Sequence, residues 1–240
     1  MFKKQFAVLL AAAAFVTPFA AQAGDHGHGG DAAVAQAIIK EIQADQGTYA
    51  AAKGAAFFKE LSKGQTPRAT VVTCSDSRVH TNMLDKTPEG DLFMIRNIGN
   101  QMATAKGSVQ YGVNHLGSSL VIFIGHSKCG AIAAASGDYA ALEEPIKKEL
   151  DTISIAKGGA NIDGVKTNVN NQVAAAMKEW AENVKAGKLM IVGAVYDFAD
   201  DMKQGAGKLN IININGETDP AKLRNMPAPA AKADHGSAHH

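Results

Sequence analysis

Five short apolar runs, at residues 69–74, 92–95, 120–125, 189–195 and 209–214, constrain this 240-residue chain more than any other feature. Each has the length and the Val/Ile/Leu content of a buried strand. Stretches of helical periodicity at 107–116, 131–136, 143–155 and 167–186 lie between several of them. This alternation predicts an α/β fold: a mostly parallel central sheet flanked by helices, with helices on both faces. The longest helical stretch carries Val169, Val173, Met177, Trp180 and Val184 on one face, and Gly187 is placed to stop it. That stripe reads as core packing. Ahead of the sheet, Ile38, Ile39 and Ile42, then Ala52, Ala55 and Ala56, predict an N-terminal helical arm with a break near Gln46 and Gly47.

The chain opens with Lys3 and Lys4, an apolar run over 6–20 and the small-residue triplet Ala21-Gln22-Ala23. This pattern predicts a secretory signal peptide over 1–23 and a periplasmic protein. The apolar run falls short of the roughly 20 residues that span a bilayer, and no membrane span is expected after cleavage. A Gly/His-rich segment at 24–34 and a Pro/Ala/His tail at 218–240 read as flexible, solvated ends. The length between them suits one domain. Net charge is only +1 and the basic residues form no stripe, which argues against nucleic acid as a partner.

The chain has only two cysteines, and both sit in short polar runs: Cys74-Ser75-Asp76-Ser77-Arg78 and His126-Ser127-Lys128-Cys129. Export favours disulfides, so a Cys74 to Cys129 bridge is one reading. A disulfide, however, makes no use of Asp76, Arg78 or His126. Thiolate and imidazole are zinc ligands, and a site with three of them leaves one position for chemistry, whereas four close it. Cys74, His126 and Cys129 make the catalytic number. Asp76 can either reach that open position or form a bidentate pair with Arg78, which suggests a gate.

These two runs, C-x-D-x-R followed by H-x-x-C, resemble the signature of the β-class carbonic anhydrases. Arg96-Asn97-Ile98-Gly99-Asn100 is similar to the family's R-N-x-[AG]-N segment, and Gly193-Ala194-Val195-Tyr196-Asp197 to its G-x-x-Y-D strand. The resemblance implies a β-carbonic anhydrase domain over 35–217, of the exported, plant-like branch. It implies Zn²⁺ on Cys74, His126 and Cys129, with water or, in a closed state, Asp76 as the fourth ligand. Asp76 and Arg78 would form the catalytic dyad. Gln65, Phe93 and Tyr111 match substrate-pocket positions; Gln65 would come from a neighbouring subunit, which implies self-association as a dimer or tetramer. Val71 stands where a bicarbonate-regulated branch has tryptophan, so that regulatory site is not expected.

The implied reaction is reversible hydration of carbon dioxide to bicarbonate and a proton by zinc-bound hydroxide. Two thiolates cancel the charge of zinc, so its water should be less acidic than the value of about 7 reached with three imidazoles, and the rate should climb on the alkaline side. His80 is the nearest proton carrier in sequence but reads as a surface residue, as does His115. Two alternatives share the ligand set: a carbon disulfide hydrolase on the same fold, and an exported zinc-binding protein without turnover. The second has no need of Asp76 and Arg78.

Overall fold

The computed structural model describes residues 32–225. The expected signal peptide, all but the last three residues of the Gly/His-rich segment, and the terminal histidines therefore lie outside the described residues. The chain divides into two units, Met1–Glu41 and Ile42–His240. Helix α1, Ala32–Leu61, begins in the first unit and ends in the second. It runs unbroken through Gln46 and Gly47; the break is at Gly54, whose φ of 76° is left-handed. Tyr49 and Phe58 would stand roughly 13 Å apart along a straight helix. The turn at Gly54 brings their rings to 6.3 Å and lays Lys53 over Phe57 at 4.5 Å.

The second unit is built on β1 (Ala69–Cys74), β2 (Leu92–Asn97), β3 (Leu120–His126), β4 (Met190–Asp197) and β5 (Lys208–Ile214). They lie in the order β2-β1-β3-β4-β5, with β5 alone antiparallel. The β4 to β5 link, residues 198–207, is too short for a crossover of a dozen or more residues, so β5 must return antiparallel. Between the strands lie α2 (Met102–Gln110), α3 (Gly130–Ser136), α4 (Glu144–Leu150) and α5 (Asn161–Lys185). A π-helical turn, Tyr111–His115, extends α2. The tail expected to be flexible from residue 218 starts instead with a short helix, α6 (Pro220–Arg224), capped by Asp219 accepting from the Ala221 N–H.

Helices on both faces were expected, but the crossovers divide unevenly. The chain steps from β1 toward one edge to make β2, then back the other way to β3 and β4. Because parallel crossovers are right-handed, the first must pass on the opposite face from the other two. The later crossovers carry α2 to α5, and these pack on the face of Val72, Val121, Phe123 and Ile191. Trp180 joins that cluster as a core residue, its Nε1–H donating to Asn114 Oδ1. The first crossover carries only the 3-10 turn Thr81–Met83. The opposite face, with Val71, Ile122, Ile124, Val192 and Ala194, therefore packs against Met83 and Leu84 rather than against a long helix. Under α5 the approach is close: a Cβ on Gly125 would sit 2.7 Å from Val169 Cγ2. No helix among the described residues is long and apolar enough to cross a membrane.

Candidate metal centre

Strand order reverses between β1 and β3, and in open α/β sheets the crevice beyond the strand ends at such a point is where ligands bind. Cys74 is the last residue of β1 and His126 the last of β3. Cys129 is the N-cap residue of α3 three residues later, after Lys128 turns the chain with a φ of 55°. The ligating atoms of Cys74, His126 and Cys129 lie within 4.8 Å of one another, and all three residues are buried. Both cysteines are free thiols, so the alternative of a disulfide between them is not realised.

The histidine is oriented for a cation. Its Nδ1 lies 2.9 Å from the Ser127 carbonyl oxygen, which can only accept, so Nδ1 carries the proton. Nε2 is left as a bare acceptor, buried and without a hydrogen-bond partner. An orphaned nitrogen beside two sulfurs costs stability unless something electrophilic meets it. Two thiolates and an imidazole are a donor set that suits zinc. Without such a partner the sulfurs share a proton. Cys74 is lowered to about 4, chiefly by the hydrogen bond from the Cys129 thiol, against the cost of burial. Cys129 is pushed up by the neighbouring Cys74 thiolate and by burial.

Asp76 stands over this triad. Arg78 grips it through Nε to Oδ1 at 2.8 Å and Nη2 to Oδ2 at 2.7 Å, and the Arg78 backbone N–H adds a third bond at 3.0 Å. These bonds hold Asp76 at about 2, so it is ionised across the neutral range. Its Oδ2 lies 3.8 Å from His126 Nε2. The carboxylate is thus beside the metal position yet committed to arginine.

Several residues that hold these groups have no sequence-based assignment. Arg96 donates to the Cys74 carbonyl at 3.1 Å and the Asp76 carbonyl at 2.7 Å, clasping the turn that leaves β1. Phe198 has the Arg78 guanidinium over its ring at 4.9 Å and stacks on His126 at 5.9 Å between centroids. Arg78 also donates to the Lys128 carbonyl, tying the two ligand loops together. Beneath them, Asp197 is fully buried and accepts from the N–H groups of Asp201 and Met202, while the Ala199 N–H donates to Ser127 Oγ at 3.2 Å. Arg96 and Asp197 are matched positions of two motifs that carry the family resemblance, where they were given no role; Phe198 had no such signal.

The predicted pocket residues lie elsewhere. Phe93 pairs with Thr70, whereas Cys74 pairs with Asn97, four residues further along. That offset is about 13 Å of strand. The Tyr111 ring is 5.9 Å from that of Phe93 and is half exposed. Gln65 is exposed in the link that enters β1. All three thus belong to the end of the sheet away from the metal triad. His80 is exposed at the start of the 3-10 turn, and His115 stacks on Tyr111 at 5.6 Å.

Comparison with known proteins agrees with this geometry. A family model described as "Carbonic anhydrase" matches residues 69–205. The chain is 32% identical over 164 residues to a carbonic anhydrase of Synechococcus elongatus, covering 58% of this chain and 60% of that one. It is 29% identical over 156 residues to carbonic anhydrase 2 of Mycobacterium tuberculosis, covering 58% of this chain and 74% of the relative. The Synechococcus match therefore spans less than two thirds of that relative's length. Among solved structures, one of two tetrameric β-carbonic anhydrases from Sordaria macrospora superposes with a TM-score of 0.62 at 25% identity, covering 75% of this chain and 98% of the other. With the Cys/Asp/Arg and His/Cys runs gathered at one strand-end crevice, the chain belongs to the β class of the carbonic anhydrase family.

Proposed function

We propose that this protein is a zinc-dependent carbonic anhydrase that interconverts carbon dioxide and bicarbonate. The observation that carries the reading is the unpartnered, buried His126 Nε2 facing two cysteine sulfurs, with an arginine-held carboxylate 3.8 Å away. Cys74, His126 and Cys129 would hold the ion, which when bound supplies the Lewis acidity that makes water a nucleophile near neutral pH. Arg78 keeps the Asp76 carboxylate ionised and turned toward itself, so that the position beside His126 stays accessible to water and substrate. Asp76 Oδ2 accepts a hydrogen bond from the reacting water and aims its lone pair at the carbon of carbon dioxide. If Arg78 lets go, the same oxygen can close on the ion.

Substrate-lining groups would come from a second copy. In one chain Phe93, Tyr111 and Gln65 lie at the wrong end of the sheet to meet a substrate above Cys74. The exposure of Tyr111 and Gln65 suits an interface, and the related Sordaria proteins are described as tetrameric. The active unit is therefore a dimer or a tetramer with the site shared between copies. Gln65, Phe93 and Tyr111 support the plant-like branch, and the N-terminal pattern supports export to the periplasm. N-terminal sequencing of the mature protein tests that assignment, with Gly24 as the expected first residue.

Stopped-flow measurement of carbon dioxide hydration tests the function. Activity should track zinc content, disappear on chelation and return on adding zinc. A zinc-loaded oligomer that does not hydrate carbon dioxide would refute the reading.

A further inference from the structure

Behind the metal centre three carboxamides form a buried cluster. Gln101, Asn168 and Gln172 are 0%, 1% and 5% exposed. Asn168 and Gln172 lie one turn apart on the buried face of α5, and Gln101 precedes α2. Each side-chain oxygen and nitrogen of the three has a partner. Gln101 Nε2 donates to Asn168 Oδ1 at 2.8 Å, Gln172 Nε2 to Gln101 Oε1 and to Asn168 Oδ1 at 3.0 Å each, and Gln172 Oε1 accepts from the Met102 N–H at 2.8 Å. The remaining bonds converge on one atom. The Gly99 carbonyl accepts both Gln101 Nε2 and Asn168 Nδ2, at 2.5 and 2.9 Å.

Gly99 belongs to the turn that follows β2, whose last residue, Asn97, lies opposite Cys74 and accepts the Ser75 N–H at 3.0 Å. The Gly99 φ of 75° is left-handed, and a Cβ there would meet Ile153 Cδ1 at 2.9 Å. A backbone so free in principle must be held from outside if the turn is to stay against the end of β1. The three amides together meet the buried Gly99 carbonyl and the Met102 N–H, so the cluster serves the backbone it holds and not the space it fills. Resting on the metal-centre reading above, we infer that Gln101, Asn168 and Gln172 are positioning residues for the metal: they clamp Gly99 and so hold the 97–101 turn, which Asn97 joins to Gln101 through its side chain, against the end of β1, setting the aim of the Cys74 ligand. Outer groups that orient a ligand shape metal affinity as ligands do.

The test uses the full chain, stripped of metal and titrated with Co²⁺, with Zn²⁺ affinity read by competition. Asn168→Leu removes one donor from the Gly99 carbonyl and the acceptor shared by the other two amides. Gln172→Met leaves the Asn168 to Gly99 bond in place. Asn213→Leu, which removes a buried β5 amide that donates to Asn170 of α5, serves as the control for loss of a core hydrogen bond. Zinc affinity should fall roughly tenfold to a hundredfold in Asn168→Leu, with a shifted thiolate-to-cobalt charge-transfer band, and less in Gln172→Met. Asn213→Leu should lower the melting temperature and leave affinity and spectrum unchanged. Wild-type affinity and spectrum in folded Asn168→Leu and Gln172→Met would overturn the inference, as would the same losses in Asn213→Leu. If Asn168→Leu does not fold, Gln172→Met decides alone. A wild-type chain that takes up neither ion would overturn the metal-centre reading itself, and the inference with it.

Discussion

The two ends of the parallel sheet are finished differently. At the carboxyl end of β1 and β3 the candidate ligands Cys74, His126 and Cys129 are buried and, with Asp76, are held by the chain's own residues: Arg96 clasps the Cys74 turn, Phe198 backs Arg78 and His126, and the Ala199 N–H holds Ser127 in the loop between His126 and Cys129. At the amino end, Phe93 and Tyr111 touch each other, but Tyr111 stays half exposed. A single chain can thus hold a metal, while the groups assigned to substrate meet no reacting atom of that chain. Metal binding should then be a property of the fold, and turnover a property of the assembly.

The largest effect should follow from breaking the closed end. Replacing His126 by Ala should abolish zinc uptake and bring hydration down to the uncatalysed background, measured by metal content and stopped flow. Retained zinc at unit stoichiometry would refute the ligand set. Asp76→Asn comes next. It keeps the shape but loses the charge that Arg78 holds, and should lower turnover by about a hundredfold or more with zinc content intact. Joint loss of zinc and turnover would make Asp76 a structural residue.

The open end gives smaller effects but the sharper contrast. Tyr111→Ala should lower turnover by about tenfold without altering zinc content, since misplacing substrate costs rate rather than metal. Mixed oligomers of Tyr111→Ala and Asp76→Asn chains should exceed the activity of either parent, because one shared site regains both groups. No gain on mixing would place the pocket within a single chain.

The smallest effect concerns Glu89, which precedes β2 at this open end and accepts from the Tyr49 hydroxyl and pairs with Lys53 at 3.0 Å. The Tyr49 bond, more than Lys53, lowers its pKa from 4.5 to about 2. A folded value below the unfolded one means the contribution is full above about pH 4.5 and fades as the pH falls to 2. Because the pair is at the surface, Glu89→Gln should lower the melting temperature by only about 2 °C or less at pH 7, and not at pH 2. An equal loss at both pH values would detach the effect from ionisation.

What could be read in the sequence follows the same division. Strand β1 was legible to the residue because its run is buried throughout and ends at a cysteine. The ligands were legible because the chain has only two cysteines, each flanked by groups a metal site uses. The break in α1 was not, since Gly47 and Gly54 are equal as sequence signals, and only the packing of Phe58 on Tyr49 selects Gly54. One-sided helix placement was not, because it depends on strand order. The carboxamide cluster joins residues 67 to 71 positions apart, which no local pattern reveals. Its trace was present even so: Asn168 and Gln172 fall in phase with Val165, Val169, Val173 and Ala176 on the buried stripe of α5, where a polar side chain has to have a partner.

The most direct test of the central claim is X-ray absorption at the zinc edge of the purified, active protein. The account predicts two sulfurs at about 2.3 Å and one imidazole nitrogen at about 2.0 to 2.1 Å, with a further light atom in the fourth position. A zinc shell of nitrogen and oxygen alone, with Cys74 and Cys129 joined as a disulfide and full activity retained, would contradict it.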